Sequence, residues 1–160
     1  QVKECLLHKE PFPYPDGYFD CVLLLCTLPH IRPPTIDFWT ELYRVTAPGG
    51  LVFMQNPNPQ SLRKRLARIL GRDDNADIHL WYQQRPVFTG HFREHSLRQL
   101  KYSAQETGFW VVKAGSSEYF SLSRQAMADT WRSKLSILLY RLSTVLGGNL
   151  KDTVYVLLRK

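Results

Sequence analysis

Four short apolar segments in the sequence have the length and composition of β-strands. The segment 19–26 (FDCVLLLC) follows the turn-forming residues Pro15, Asp16 and Gly17, and its hydrophobic positions are continuous rather than alternating. A continuous apolar run of this length predicts a strand that is buried on both faces, as in a parallel sheet. Three further strands are predicted at residues 51–55, 109–113 and 153–158.

Helical patterns lie between these strands and carry their own start and stop signals. Thr35 can cap a first helix, which Pro48 stops. Asn58, followed by a proline, predicts the N-cap of a second helix that runs to about residue 70. Ser96 and Gln99 fit a capping box for a third helix. The inner stripe of the second helix is predicted to be Leu62, Leu66 and Ile69, and a long amphipathic helix is predicted over residues 124–146.

The alternation of strands and helices predicts the α/β class with a largely parallel central sheet. The last strand follows a long helix, so the pattern leaves its direction open. The chain has 160 residues, 44% hydrophobic and 22% charged, which is typical of a single globular domain. Three cysteines and the lack of a secretory pattern favour a soluble cytoplasmic protein, and no apolar run is long enough to cross a bilayer.

Charge adds one further expectation about partners. The formal net charge is +7, which favours anionic partners without naming one. Arg63, Lys64, Arg65 and Arg68 concentrate positive charge on the second predicted helix, where a phosphate or an anionic lipid surface could bind. A solvated outer face is the alternative for this helix. Nucleic acid is not favoured as a partner, because no RNA-binding motif or zinc knuckle accompanies the charge.

Several motifs, taken in order, resemble the C-terminal half of a class I S-adenosylmethionine-dependent methyltransferase. Residues 12–20 (FPYPDGYFD) are similar to the LPFPDGSFD stretch of that family, and residues 28–30 (LPH) are similar to its LEH. Residues 41–50 (ELYRVTAPGG) resemble its helix-to-strand junction ELxRVLKPGG. Residues 92–96 (FREHS), followed by GF at 108–109, resemble its later HRx(F/Y)(S/T)…GF region.

The resemblance implies a Rossmann-like methyltransferase sheet that is partial, with the C-terminal strands in the order 4-5-7-6 and flanking helices. Residues 1–160 are then a single partial methyltransferase-like domain, with 72–94 as a lid or irregular insertion and 121–149 as a helical insertion before the last strand. The family's Gly-rich cofactor turn, GxGxG, does not occur in this sequence. The strand that starts at residue 19 would leave an apolar edge, which residues 2–7 or a second chain are expected to cover.

The implied reaction is S-adenosylmethionine-dependent methyl transfer to a small-molecule, glycan or lipid acceptor. By the same resemblance, the cofactor would contact His8, Lys9 and Glu10 and the strand end Leu25, Cys26 and Thr27. His8 stands where the family usually has an aspartate that binds the adenine amino group, which weakens the expected adenine contact. Because this chain lacks the Gly-rich turn, it is expected to be inactive alone.

Candidates for chemistry follow from where side chains leave the predicted strands. His30 follows the first strand at the ligand end of the sheet and is the candidate catalytic base, with a structural role in the turn as the alternative. Asn56, Trp81, Tyr82 and His91 are candidate substrate-binding residues. Asn58 is expected to be a helix cap, and the aromatic residues could instead cover the sheet. No metal site is predicted, because the cysteines and histidines lack ligand spacing.

Two alternatives from other classes accompany the methyltransferase hypothesis. The chain could be a catalytically inactive, methyltransferase-like subunit for binding or assembly, as a homodimer or with a second chain over the open sheet edge. It could also be a basic module that binds a membrane surface or nucleic acid. The sequence leaves these open.

Overall fold

A computed structural model gives the fold of the chain and describes residues 7, 10–31, 36–71, 90–117, 138–139, 141–143 and 145–160. Within these ranges the strands are β1 (Phe19–Leu25), β2 (Thr46–Pro57), β3 (Trp110–Ser117) and β4 (Thr153–Arg159). Its helices are α1 (Ile36–Val45), α2 (Leu62–Ile69) and α3 (Leu97–Glu106), with a short 3-10 helix at Leu28–His30. Part of the predicted long helix is also seen, since the described residues between 138 and 146 are helical.

The strands form one mixed sheet in the order β1-β2-β4-β3. β1 and β2 are parallel, whereas β4 runs antiparallel to both β2 and β3. This is the order 4-5-7-6 that the resemblance implied, so the expected fold class is confirmed. The direction of the last strand, which the sequence left open, is antiparallel.

The core lies between one face of the sheet and the helices α1 and α3. Alternate β2 residues Val52 and Met54 point into it, as do Val154 and Val156 of β4, and all four are fully buried. Burial of such side chains typically stabilises a fold by about 1.5–3 kcal/mol each. The core is completed by Leu28, Ile31, Phe38, Trp39, Leu42, Leu97, Leu100, Ala104, Phe109 and Leu158.

The first strand is buried on one face only, which corrects the expectation of burial on both. Val22 and Leu24 pack against the core, whereas Leu23 and Leu25 on the opposite face are 63% and 56% exposed. Among the described residues, β1 pairs with β2 alone and has no strand on its other side. Residues 2–6, expected to cover this edge, lie outside the described residues, and Leu7 packs against the core.

An arginine holds the segment before β1 against α1. The Arg44 guanidinium donates to the carboxylates of Glu41 and Asp16 and to the carbonyl oxygens of Phe12 and Tyr14. Glu41 in turn accepts from the Phe12 backbone N–H at 2.8 Å. The hydrogen bond from Arg44 lowers the pKa of Glu41, so the clamp stays ionised near neutral pH. The entry into β1 is therefore fixed by a charge-assisted network.

Several predicted boundaries need correction. α1 ends at Val45, and β2 already begins at Thr46, so Pro48 and the glycines after it lie within the strand rather than before it. α2 is shorter than predicted, and its N-cap is Ser61, which accepts from the Lys64 N–H, rather than Asn58. Ile69 is 78% exposed, so it is not part of an inner stripe.

The capping box of α3 is confirmed, since Ser96 and Gln99 bond each other's backbone N–H groups. Gly108 ends the turn after this helix with φ +95°, a conformation that favours glycine. β3 then begins one residue later than predicted and continues four residues further, to Ser117.

Candidate active site

The carboxyl ends of the two parallel strands meet at one edge of the sheet. Ligands of open α/β sheets bind outside such carboxyl ends. Cys26, the first residue after β1, is the only non-glycine described with a positive φ, 53°. Its backbone N–H donates to the Gln55 carbonyl oxygen on β2 at 2.7 Å, which fixes the turn against the neighbouring strand. Uncommon backbone conformations of this kind concentrate at functional sites.

The three residues predicted to line a cofactor form an open wall at this edge. The Leu25 side chain is exposed, whereas those of Cys26 and Thr27 are half-buried. Burial raises the pKa of the Cys26 thiol, so it is uncharged near neutral pH and offers an apolar rather than a nucleophilic surface. The Thr27 hydroxyl is directed back toward the Leu25 carbonyl oxygen at 3.4 Å.

A substitution at Cys26 tests whether the backbone is strained here. A left-handed conformation costs an L-residue about 1–2 kcal/mol, and glycine avoids that cost. Cys26→Gly is therefore expected to raise the free energy of unfolding by up to about 1 kcal/mol. Cys26→Val, whose side chain is branched at Cβ, should lower it by about 1–2 kcal/mol. Urea denaturation of the two variants measures both changes, and a valine variant as stable as the glycine variant would contradict the assignment.

Asn56, a predicted substrate-binding residue, lies near the end of β2 and is fully buried. Neither its amide nitrogen nor its amide oxygen has a hydrogen-bond partner in the described part of the chain. Buried amides are normally paired, so this side chain retains full capacity to bind a polar group. Gln55, on the opposite face of β2, instead lies 3.3 Å from the Ser117 hydroxyl and 3.4 Å from that of Thr153.

Two histidines come together beyond the end of β1. His30 lies at the end of the 3-10 helix, and its ring centroid is 4.8 Å from that of His91 in an edge-to-face arrangement. The Phe92 N–H donates to the Pro29 carbonyl oxygen at 2.7 Å and ties the two segments together. His30 and His91, predicted separately as a catalytic and a substrate-binding residue, therefore form a single cluster.

Each histidine is oriented through its Nδ1 atom. His30 Nδ1 lies 3.1 Å from the Gly90 carbonyl oxygen, and His91 Nδ1 lies 3.2 Å from Glu94 Oε1. A carbonyl or carboxylate oxygen only accepts, so both Nδ1 atoms carry the proton in these hydrogen bonds. In the neutral imidazoles, each Nε2 is left as an acceptor.

Two residues behind His91 were not predicted as site residues from the sequence. Lys64 of α2 is buried and forms an ion pair with Glu94 Oε2, while Glu94 Oε1 faces His91. Burial acts to raise the pKa of Glu94, but hydrogen bonds from His91 and Lys64 outweigh it and hold that pKa below its usual value. Two sequence signals were available for them. His91 and Glu94 are three residues apart, and Lys64 lies three residues after Ser61, the N-cap of α2.

The remaining predicted site residues do not join this cluster. Glu10 is exposed, and His8, Lys9, Trp81 and Tyr82 lie outside the described residues, as do residues 72–89 of the predicted lid. His95 is buried next to the cluster in sequence, and its Nδ1 has no partner among the described residues. Burial, followed by the charge of Arg93, lowers the pKa of His95, so it is neutral near physiological pH.

Asn58 is structural, but in a way that the sequence did not indicate. Its buried Nδ2 donates to the carbonyl oxygens of Asn149 and Lys151 at 2.8 and 2.7 Å. Its Oδ1 accepts from the Gln60 N–H at 2.9 Å. The side chain thus joins the end of β2 to the loop that precedes β4 instead of capping α2.

The positive charge of α2 is largely engaged within the protein. Lys64 is paired with Glu94, Arg63 lies 3.6 Å from the Asp152 carboxylate, and Arg65 donates to the Gln60 carbonyl oxygen at 2.8 Å. Lys64 therefore belongs to neither the solvated face nor the anion-binding surface that the sequence left open, and Arg63 and Arg65 each already have a partner within the protein. Across the described ranges, none of the helices has the length and apolar character needed to traverse a bilayer.

In this sheet the last strand of the chain, β4, is inserted antiparallel between β2 and β3. This strand order defines the class I S-adenosylmethionine-dependent methyltransferase fold. A model of the methyltransferase domain family matches residues 3–114, which is more than half of the chain. The chain therefore belongs to the methyltransferase domain family.

Solved structures show the same fold at low sequence identity. An S-adenosylmethionine-dependent methyltransferase from Archaeoglobus fulgidus matches with a TM-score of 0.59 and 18% identity, over 99% of this chain and 66% of its own. One from Thermotoga maritima matches with a TM-score of 0.60 and 17% identity, over 99% and 63%. A Haloferax volcanii chain solved in complex with a methyltransferase activator gives 0.59 and 14%, over 92% and 56%. No curated protein matches.

The chain thus spans about two thirds or less of the length of these structures. The family implies S-adenosylmethionine as the cofactor. Two features of the described residues suit them to contact one side of this cofactor. The backbone turns sharply at Cys26 beside the exposed Leu25, and the buried Asn56 amide at the neighbouring strand end is unpartnered within the described residues.

Proposed function

We propose that this chain forms the acceptor side of an S-adenosylmethionine-dependent methyltransferase that acts on a hydroxyl or amine. The acceptor would be a small molecule or a glycan or lipid headgroup. The observation that carries the proposal is the histidine pair beyond β1, in which both Nδ1 atoms are engaged and both Nε2 atoms are left as acceptors. Oxygen and nitrogen nucleophiles lose a proton on methylation, and histidine is the side chain best suited to accept it near neutral pH.

The cofactor supplies an electrophilic methyl group on a sulfonium centre. In this proposal Leu25, Cys26 and Thr27 form the wall beside it, with Glu10 and the segment around His8 and Lys9 near the adenosine. The Asn56 amide holds a polar group of the acceptor, and His30 and His91 lie where its proton leaves. Since methyl transfer is an in-line displacement, most of the rate arises from such alignment.

The missing Gly-rich turn is proposed to come from a separate part of the enzyme. Among the described residues the outer edge of β1 has no strand beside it, and Leu23 and Leu25 are exposed. Both observations support this, because an unpaired apolar strand is a template for further strands. The same edge favours the second candidate function, a subunit that binds a partner chain without catalysing methyl transfer.

Titration calorimetry with S-adenosylhomocysteine, the product form of the cofactor, separates the two candidates. Binding to the 160-residue chain in the micromolar range would support a site that is complete, alone or across a dimer. Absence of heat and of thermal stabilisation is the result expected if the chain supplies only one side. In that case, adding a polypeptide that carries the strand and GxGxG turn should restore binding, and failure of this addition favours the non-catalytic subunit.

A further inference from the structure

The acidic residue behind the histidine pair distinguishes its two members. His30 Nδ1 is held by a neutral backbone carbonyl, that of Gly90, whereas His91 Nδ1 is held by the carboxylate of Glu94. Hydrogen bonds to an ionised acceptor are roughly twice as strong as those between neutral groups. A carboxylate also stabilises the imidazolium that forms when Nε2 takes up a proton, as in the histidine–carboxylate pairs of hydrolases.

A lysine from a different element, α2, keeps the Glu94 carboxylate ionised and in place. Lys64 of α2 has a side chain only 8% exposed, and its ammonium pairs with Glu94 Oε2. The other carboxylate oxygen is thereby left to His91 Nδ1. A buried ion pair of this kind contributes little net stability, so stability alone does not explain why the protein has the Lys64–Glu94 pair.

We infer that His91 is the general base of the proposed methyl transfer and that Glu94 and Lys64 are its positioning residues. Lys64 fixes Glu94, and Glu94 fixes His91 in the tautomer with the proton on Nδ1. His91 Nε2 then accepts the proton of the acceptor hydroxyl or amine as the acceptor lone pair forms the new bond to the methyl carbon. The electron pair of the broken carbon–sulfur bond remains on the sulfur. This inference rests on the proposed function for its chemistry, whereas the tautomer can be tested without it.

The tautomer is measured on the 15N-labelled chain by long-range proton–nitrogen NMR at about pH 8.5, where histidines are neutral. The His91 signals are assigned with His91→Gln. We expect the Nδ1–H form for both His30 and His91. In Lys64→Met/Glu94→Leu, which removes both buried charges together and so keeps the fold, His91 should revert to the mixture of tautomers of an unrestrained imidazole. His30, bonded to Gly90, should not change.

The matched control is Arg63→Met/Asp152→Leu, which removes a more exposed ion pair from the neighbouring position of α2. This control should leave the His91 tautomer as in the unmodified chain. The positioning role is overturned if His91 carries its proton on Nε2 in the unmodified chain, or if its tautomer is the same in the Lys64→Met/Glu94→Leu variant.

Activity in the assembled enzyme provides the second measurement. His91→Gln is expected to lower kcat by about 10²–10⁴-fold, the usual contribution of a general base, with little change in KM. Full activity of His91→Gln would overturn the inference while leaving the proposed function intact. If no acceptor is methylated by the assembled enzyme, the proposed function fails and His91 is not a general base, even where the NMR result supports its orientation by Glu94.

Discussion

Replacing Glu94 with leucine is expected to lower the free energy of unfolding by about 3–5 kcal/mol, because it leaves the Lys64 ammonium buried without its partner. Lys64→Met/Glu94→Leu should recover most of that loss, since well-packed apolar side chains replace buried ion pairs with little cost. Guanidinium denaturation of the two single variants and the double variant measures the coupling. A double variant no more stable than Glu94→Leu would contradict this account.

The more exposed ion pair, between Arg63 of the same helix and Asp152, is the control for this cycle. Arg63 is 46% exposed and 3.6 Å from the Asp152 carboxylate, so Arg63→Met should cost less than about 1 kcal/mol.

The pH dependence of stability provides an independent check on Glu94. Its pKa is lower in the folded state, so its stabilising contribution is complete above about pH 4.3 and is lost as the pH falls through the folded-state value.

The second large effect is expected from two buried asparagines that respond in opposite ways. Asn58→Leu removes both donors to the Asn149 and Lys151 carbonyl oxygens and the acceptor of the Gln60 N–H. Leaving such groups unpaired should cost about 2–3 kcal/mol. Asn56 is equally buried but has no partner among the described residues, so Asn56→Leu should be neutral or stabilising.

Thermal and urea unfolding of the two leucine variants tests this contrast directly, because the residues are two positions apart and the substitution is the same. Equal destabilisation by both variants would show that Asn56 has a hidden partner. If Asn56 contacts the acceptor as proposed, the Asn56→Leu variant should bind it less well without being less stable. Polar groups that are needed for binding commonly lower the stability of the folded protein.

The sequence predicted those features that depend on local pattern. The strands, the capping box at Ser96 and the order of the sheet follow from hydrophobic runs, cap signals and family motifs, and the structure agrees with them. Asn58 shows where local reasoning fails. Asparagine before proline is a common helix start, but here the loop before β4, more than 90 residues away in sequence, offers it two carbonyl oxygens.

The candidate site was only partly predictable for the same reason. His30 and His91 could each be selected by position, but their contact depends on how residues 90–94 return to the 3-10 helix. Lys64 was interpreted as one of several surface charges on α2. Only the tertiary structure places it inward, against a carboxylate 30 residues further along the chain.

The position of β4 in the sheet has a consequence for how the protein is made. Gln55 and Thr153 are neighbours in the sheet but are 98 residues apart in sequence, and Ser117 and Thr153 are 36 apart. While a ribosome synthesises the intervening residues, β2 and β3 have no strand between them, and each presents an unpaired edge. Pairings this distant in sequence form slowly and leave the nascent chain open to aggregation. Until β4 has been synthesised, the edges of β2 and β3 that it will cover are therefore open to pairing with other chains.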